Sequence, residues 1–315
     1  MLTCDPINNF SFIIFTLDYV IIIKMKIEIL QPVGYCSGVS NAILKAIKAK
    51  RDNPNKPVYI LGSLVHNSHV IDSLESIGII NLVDNSVSMK EKINSLEQGG
   101  IVVFTAHGHD EKLDILANKK GLTILDCICP KVKANMNQIK EKLESNFNVI
   151  FVGIEKHPET AACLSISDDI HLFDAKTEKF DAFNDEKPVF VTNQTTLNFK
   201  ELEYIFNKIK NIYPNAVFNN EICPATRLRQ ENILKIEDDV DVVFVVGDKN
   251  SSNTKRLFEI SSAGNKKAST YLISSESDLT IDMLQGKKHA VITSGTSTPL
   301  EVINSVYKTI ENLTK

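Results

Sequence analysis

The chain of 315 residues is 43% hydrophobic and 23% charged, the balance of an ordinary globular protein long enough for two or three domains. A formal net charge of −4 gives no basic footprint and argues against nucleic acid as the main partner, although a single cationic cleft for a small anion is compatible with it. Six cysteines are too few for a disulfide framework, and in the reducing cytoplasm expected for this chain clustered thiols serve metals or catalysis.

The first 24 residues carry an apolar run from Phe10 to Ile23 that Asp18 interrupts. The run is short for a membrane span and no Lys or Arg precedes it, so no membrane association is expected. "MKIEIL" then reads as a natural start at Met25, and residues 1–24 are treated as an extension, from a mis-assigned start or a dispensable segment, with a membrane-associating segment as the alternative.

From Lys26 onward one plan recurs three times. An apolar strand, a turn with a cysteine and a helical pattern are found in "KIEILQPVGYCSGVSNAILKAIKAK", "LTILDCICPKVKANMNQIKEKLE" and "AVFNNEICPATRLRQENILKIED". Their cysteines, Cys36, Cys129 and Cys223, fall at near-equal intervals. A second apolar strand then runs into a polar loop at His66, His157 or Ser251, and a third ends at His107, Thr195 or Ser297. Continuous Val/Ile/Phe runs between amphipathic stretches such as "SMKEKINSLEQ" and "ELEYIFNKIKNIY" predict parallel sheets covered by helices on both faces. The fold expected is α/β, with three similar modules in a pseudo-threefold trefoil: residues 38–129, 130–219 and 220–315, the last completed by the strand segment 25–37. Ligands of such sheets bind beyond the carboxyl ends of the strands, where all nine marked loops fall.

An isolated cysteine is usually a small buried hydrophobe, and Cys127, Cys163 and Cys4 are read that way or as incidental. Three at matched positions are different. The paired spacing of a structural zinc site is missing, whereas three thiolates suit an iron–sulfur cluster with one iron left open. Ser251, Ser252 and Asn253 open a predicted helix, where N–H groups and hydroxyls bind phosphate oxygens, and Ser297 sits in a similar turn. His66, His107 and His157 add imidazole donors. Glu159 is either a surface cap of the helix after Pro158 or, if buried beside the site, a proton donor with a raised pKa. Gln194, Thr195, Thr196 and Asn198 are weaker candidates for orienting a hydroxyl or a relay water.

The segments "PVGYCSGV", "LVHN", "FTAHGH", "CPKV", "HPET", "NQTTL", "EICPAT" with the following "RQ", "VGDKNSSNTKRL" and "TSGTSTP" together resemble the 4-hydroxy-3-methylbut-2-enyl diphosphate reductases, the LytB/IspH family, over nearly all of residues 25–310. The resemblance implies a 4Fe–4S cluster on Cys36, Cys129 and Cys223, with one open iron for the substrate hydroxyl. It implies diphosphate binding by His66, His107, His157, Ser251, Ser252, Asn253 and Ser297. Proton delivery falls to Glu159 and His157, with Thr195 on the substrate hydroxyl. Electrons would come from ferredoxin or flavodoxin, the products would be isopentenyl and dimethylallyl diphosphate, and the chain would be a monomer. Cys127, Ile128 and Ala162 depart from the family's usual residues. The alternatives are a dehydratase or lyase similar to quinolinate synthase, and a non-catalytic cluster sensor.

Overall fold

The computed structural model describes residues 25–315, other than 66, 85, 185, 266 and the side chain at 69. The expectations about residues 1–24 therefore lie outside the described residues.

The strands are β1 (Lys26–Ile29), β2 (Val58–Leu61), β3 (Ile79–Leu82), β4 (Ile101–Phe104), β5 (Thr123–Asp126), β6 (Asn148–Gly153), β7 (Ile170–Asp174), β8 (Val189–Asn193), β9 (Val217–Phe218), β10 (Val242–Val246), β11 (Ser269–Ile273) and β12 (His289–Ser294). They form three four-stranded sheets in the orders β3-β2-β4-β5, β7-β6-β8-β9 and β11-β10-β12-β1, with every pairing parallel. Each sheet repeats the same order of equivalent strands, which is the threefold plan read from the sequence.

The two inner strands of each sheet, β2 and β4, β6 and β8, β10 and β12, are buried along their whole length. Their composition, rich in Val, Ile and Phe and without alternation of exposed residues, follows from helices lying on both faces. Each sheet accordingly has two apolar layers. Ile60 and Val103 pack with Ala42 and Ala46 on one side of the first, and Tyr59 and Val102 with Ile93 and Ala117 on the other. Burying one such Ile or Val contributes about 1.5–3 kcal/mol.

The segments carrying the cysteines are the crossovers between modules. β5 closes one edge of the first sheet, yet the helix that follows it, Pro130–Glu144, packs Val132, Met136 and Ile139 against Val149 and Phe151 of the second. Likewise β9 ends the second sheet, and Pro224–Ile233 lays Ile233 on Val243 and Val245 of the third. β1 ends the third, and Ser37–Asp52 covers the first. Every cysteine turn therefore joins a strand of one module to a helix of the next. Among the described residues no helix is long and apolar enough to cross a membrane.

Candidate active site

Cys36, Cys129 and Cys223 are the residues immediately before the helices Ser37–Asp52, Pro130–Glu144 and Pro224–Ile233. Pro at the first position of the latter two fits a place where no intrahelical N–H bond is made. The three backbone N–H groups are anchored identically. Cys36 N–H donates to Thr296 O (3.1 Å), Cys129 N–H to Ala106 O (3.0 Å) and Cys223 N–H to Thr195 O (2.9 Å). Each acceptor lies two residues beyond the end of β12, β4 or β8, so the three sheets present their cysteines in equivalent positions.

The thiols converge. A Cβ built on Gly38 would lie 2.9 Å from Cys129 Sγ and 3.9 Å from Cys36 Sγ, so the first turn after Cys36 passes against Cys129 and has no room for a side chain. Burial raises the Cys129 thiol above its ordinary pKa, and the neighbouring Cys223 and Cys36 raise it further. Three mutually repelling soft donors in one place match the donor set of an iron–sulfur group. Arg229 strengthens the fit: it is 3% exposed, lies within electrostatic reach of Cys36 and Cys223, and its Nε is a buried donor with no acceptor among the described residues. Cys127 is distinct. It is packed in the first module with Ala42 and Ala46, and burial pushes its thiol up to about 11. Cys163 is buried in the second module, its thiol also raised well above the ordinary value by burial.

Thr195 occupies the junction between one cysteine and a buried acid. Its carbonyl receives the Cys223 N–H, its own N–H donates to Glu159 Oε1 (2.8 Å), and its Oγ1 donates to Glu159 Oε2 (2.9 Å). Glu159 is 1% exposed, so the alternative of a surface cap does not hold; the cap of Pro158–Leu164 is His157, whose Nδ1 accepts from Glu159 N–H (3.2 Å). Burial raises the Glu159 carboxyl to about 7, against the two Thr195 bonds that favour its charged form and with a smaller push from the Glu221 carboxylate. Gln194 ties the same loops together. Its Oε1 accepts from Ile154 N–H (3.0 Å) and its Nε2 donates to Thr196 Oγ1 (2.8 Å), so Gln194 and Thr196 are internal braces. Asn198 caps the helix Phe199–Ile212.

A cavity of about 980 Å³ opens between the modules, lined among others by Asn67 and His107 of the first, Lys156 and His157 of the second, and Ser252 and Lys255 of the third. The His107 and His157 rings meet edge to face with centroids 5.6 Å apart. Gly108, in the turn after His107, has φ +86°, and a Cβ there would meet Ala162 and Met136, each at 3.1 Å, so the turn depends on glycine. On the third module Ser251 caps the helix Ser252–Gly264 by accepting from Thr254 N–H. Ser252 Oγ, Asn253 Nδ2 and Ser297 Oγ are buried with no hydrogen-bond partner among the described residues. Buried polar groups are nearly always satisfied, so a set of orphaned donors beside a helix N-terminus fits an anion. His66 lies outside the described residues.

The sequence reading gave no role to Arg229, His109 or Thr254. His109 stacks on Phe104 at 3.6 Å and bonds Asp114 Oδ1 through Nε2, which builds one wall of the cavity. Thr254 Oγ1 is a further orphaned buried atom, next in the chain to Asn253. That adjacency was its only signal.

The LytB protein family pattern matches residues 27–311. The 4-hydroxy-3-methylbut-2-enyl diphosphate reductase of Malacoplasma penetrans is 38% identical over 90% of this chain and 96% of its own. That of Bacillus thuringiensis is 37% identical over 91% of this chain and 90% of its own. Among solved structures, the Plasmodium falciparum E-1-hydroxy-2-methyl-but-2-enyl-4-diphosphate reductase superposes with a TM-score of 0.82 at 28% identity, covering 90% of this chain and 87% of that one. A structure of (E)-4-hydroxy-3-methyl-but-2-enyl diphosphate reductase, described as the terminal enzyme of the non-mevalonate pathway, gives 0.66 at 29% identity, covering 91% and 99%.

Proposed function

Because this chain belongs to the LytB family, we propose that it is an iron–sulfur oxidoreductase that converts (E)-4-hydroxy-3-methylbut-2-enyl diphosphate to isopentenyl and dimethylallyl diphosphate, the last step of the methylerythritol phosphate route. Two electrons and two protons enter, the allylic C–O bond breaks, and water leaves. The dehydratase and sensor alternatives lose their support with family membership.

In this reading Cys36, Cys129 and Cys223 hold a 4Fe–4S group, which supplies low-potential electrons and, at an iron without a thiolate, Lewis acidity. The observation that carries the rest is the placement of Thr195, bonded on one side to Cys223 and on the other to both oxygens of Glu159. When Glu159 is protonated at Oε2, its bond with Thr195 Oγ1 reverses so that Oε2 donates; Oγ1 takes that proton and gives its own to the departing hydroxyl, and direct delivery or passage through His157 uses the same acid. With a pKa of about 7 the carboxyl holds that proton at neutral pH and can still release it.

Ser252, Asn253 and Ser297 bind the diphosphate with their unsatisfied donors, helped by the helix N-terminus at Ser251 and by His107, His157 and His66. Holding the charged end fixes the reacting carbon at the other, which is a proximity effect. Ferredoxin or flavodoxin as electron donor, a monomeric cytoplasmic protein, and module limits at 38–129, 130–219 and 220–315 with 25–37 complete the proposal.

Anaerobic turnover with a chemical reductant and the hydroxylated C5 diphosphate tests it, comparing wild type with Glu159→Gln. Consumption by wild type and near-loss in a variant that keeps its cluster spectrum supports the reaction and the acid. Consumption by both moves the proton role to His157. No consumption by fully reconstituted wild type overturns the reductase reading.

A further inference from the structure

Arg229 is deeply buried beside Cys36 and Cys223 and has no carboxylate partner among the described residues. Its Nη2 donates to Gly34 O (2.8 Å), two residues before Cys36, and its Nη1 donates to Ala225 O (2.9 Å), two residues after Cys223. The guanidinium thus bridges two cysteine turns. Those two bonds leave Nε, a buried donor with no acceptor among the described residues. Burial works against the charge of this side chain, and the groups that favour it are the sulfurs of Cys36 and Cys223. A buried cation left without a counter-charge is costly, so the site is complete only when negative charge accumulates on the sulfur side.

We propose that Arg229 is the counter-charge and hydrogen-bond donor of the iron–sulfur group, setting its reduction potential through its fixed positive charge and its Nε–H. The proposal rests on the assignment of the cluster to Cys36, Cys129 and Cys223. Three thiolates on a 4Fe–4S core of charge +2 give a net −1, which becomes −2 when one electron enters from a low-potential reductant; no bond is made or broken. A fixed cation favours the more negative state, and hydrogen bonds to the sulfurs act in the same direction. Removing Arg229 therefore makes the cluster harder to reduce. The role is distinct from that of Glu159, which handles a proton and bonds neither cysteine turn through its side chain.

The test is anaerobic reconstitution of the whole chain as wild type, Arg229→Lys and Arg229→Met. Iron content, release of iron to a chelator and the midpoint potential of the cluster are measured for each. Arg229→Lys keeps the charge but cannot hold both carbonyls, whereas Arg229→Met keeps neither function. The expected result is that Lys retains iron and most of the potential. Met shifts the one-electron equilibrium about tenfold towards the oxidised form, or about 59 mV lower, or loses iron altogether. If Lys and Met behave alike, whether both hold wild-type potential or both lose the cluster, Arg229 is only a tether and the proposal is overturned. Wild type that assembles no cluster would instead overturn the cysteine assignment on which it rests, and that result is read before any variant is compared.

Discussion

The Glu159 pocket and the Ser252–Asn253–Ser297 wall both hold buried polar atoms but are oppositely prepared. Both oxygens of Glu159 receive bonds from Thr195, and Gln194 braces the surrounding loops, so the acid is held before any substrate arrives. The wall presents hydroxyl and amide groups that no described residue satisfies. A group that must deliver a proton at one geometry gains from being fixed in advance, whereas groups that must grip an anion are useful only while their donors are free. The difference separates turnover from binding, and each variant below falls on one side of it.

The largest effect is expected at the prepared acid. Glu159→Gln keeps shape and burial but removes the proton, and kcat should fall about 10²–10⁴-fold with KM little changed. A KM increase of the same size would erase the distinction between pocket and wall. The pH dependence carries the same signature. With the carboxyl at about 7 in the native protein against an ordinary 4.5, the native state binds more protons than the unfolded chain between those values. Stability from this group is complete below pH 4.5 and lost as pH rises through 7, amounting to about 3 kcal/mol. Denaturant unfolding of wild type and Glu159→Gln across this range should show that difference, and parallel curves would contradict the burial of a neutral acid.

The wall should respond to ligand rather than to pH. Inorganic pyrophosphate at about a hundred times its Kd should stabilise the protein by about 2.7 kcal/mol. Asn253→Ala and Ser297→Ala should each lose much of that thermal shift and raise KM about tenfold or more, in line with about 1.5–3 kcal/mol for a bond to a charged group. Glu159→Gln should keep the shift. A shift that survives Asn253→Ala and Ser297→Ala would move the diphosphate away from these two residues.

The two regions also differ in how far the sequence disclosed them. The three sheets were legible because β2, β4, β6, β8, β10 and β12 are built around short Val/Ile/Phe-rich runs, each followed by a polar loop. The cysteine turns were legible because Cys36, Cys129 and Cys223 repeat with the modules. The expected limits at 129 and 130 already part β5 from Pro130–Glu144; what could not be read is which side chains meet there, Val132, Met136 and Ile139 on Val149 and Phe151. Helix pattern by itself does not separate a surface cap from a buried acid at Glu159, because the first turn of a helix favours a carboxylate in either case; there the acid rested on the resemblance. Arg229 was invisible for a related reason. It lies within a polar helix, "PATRLRQENI", alongside an exposed arginine, and only packing separates Arg229 from Arg227, which pairs with Glu231 at the surface. The orphaned state of Ser252 and Ser297 is likewise a property of three dimensions.

The smallest effect should come from a change inside the prepared pocket that leaves both of its bonds in place. Thr195→Ser retains the backbone N–H to Glu159 Oε1 and a hydroxyl able to reach Oε2, and removes one methyl from a side chain that is 4% exposed. The cost is about 1 kcal/mol of packing, and turnover should stay within about tenfold of wild type. Thr195→Val removes the hydroxyl while keeping the shape, so kcat should fall well beyond Thr195→Ser even though the lost volume is smaller. If the two variants were equally impaired, the methyl rather than the hydroxyl would be what Thr195 contributes, and Glu159 would have to reach the substrate by another route.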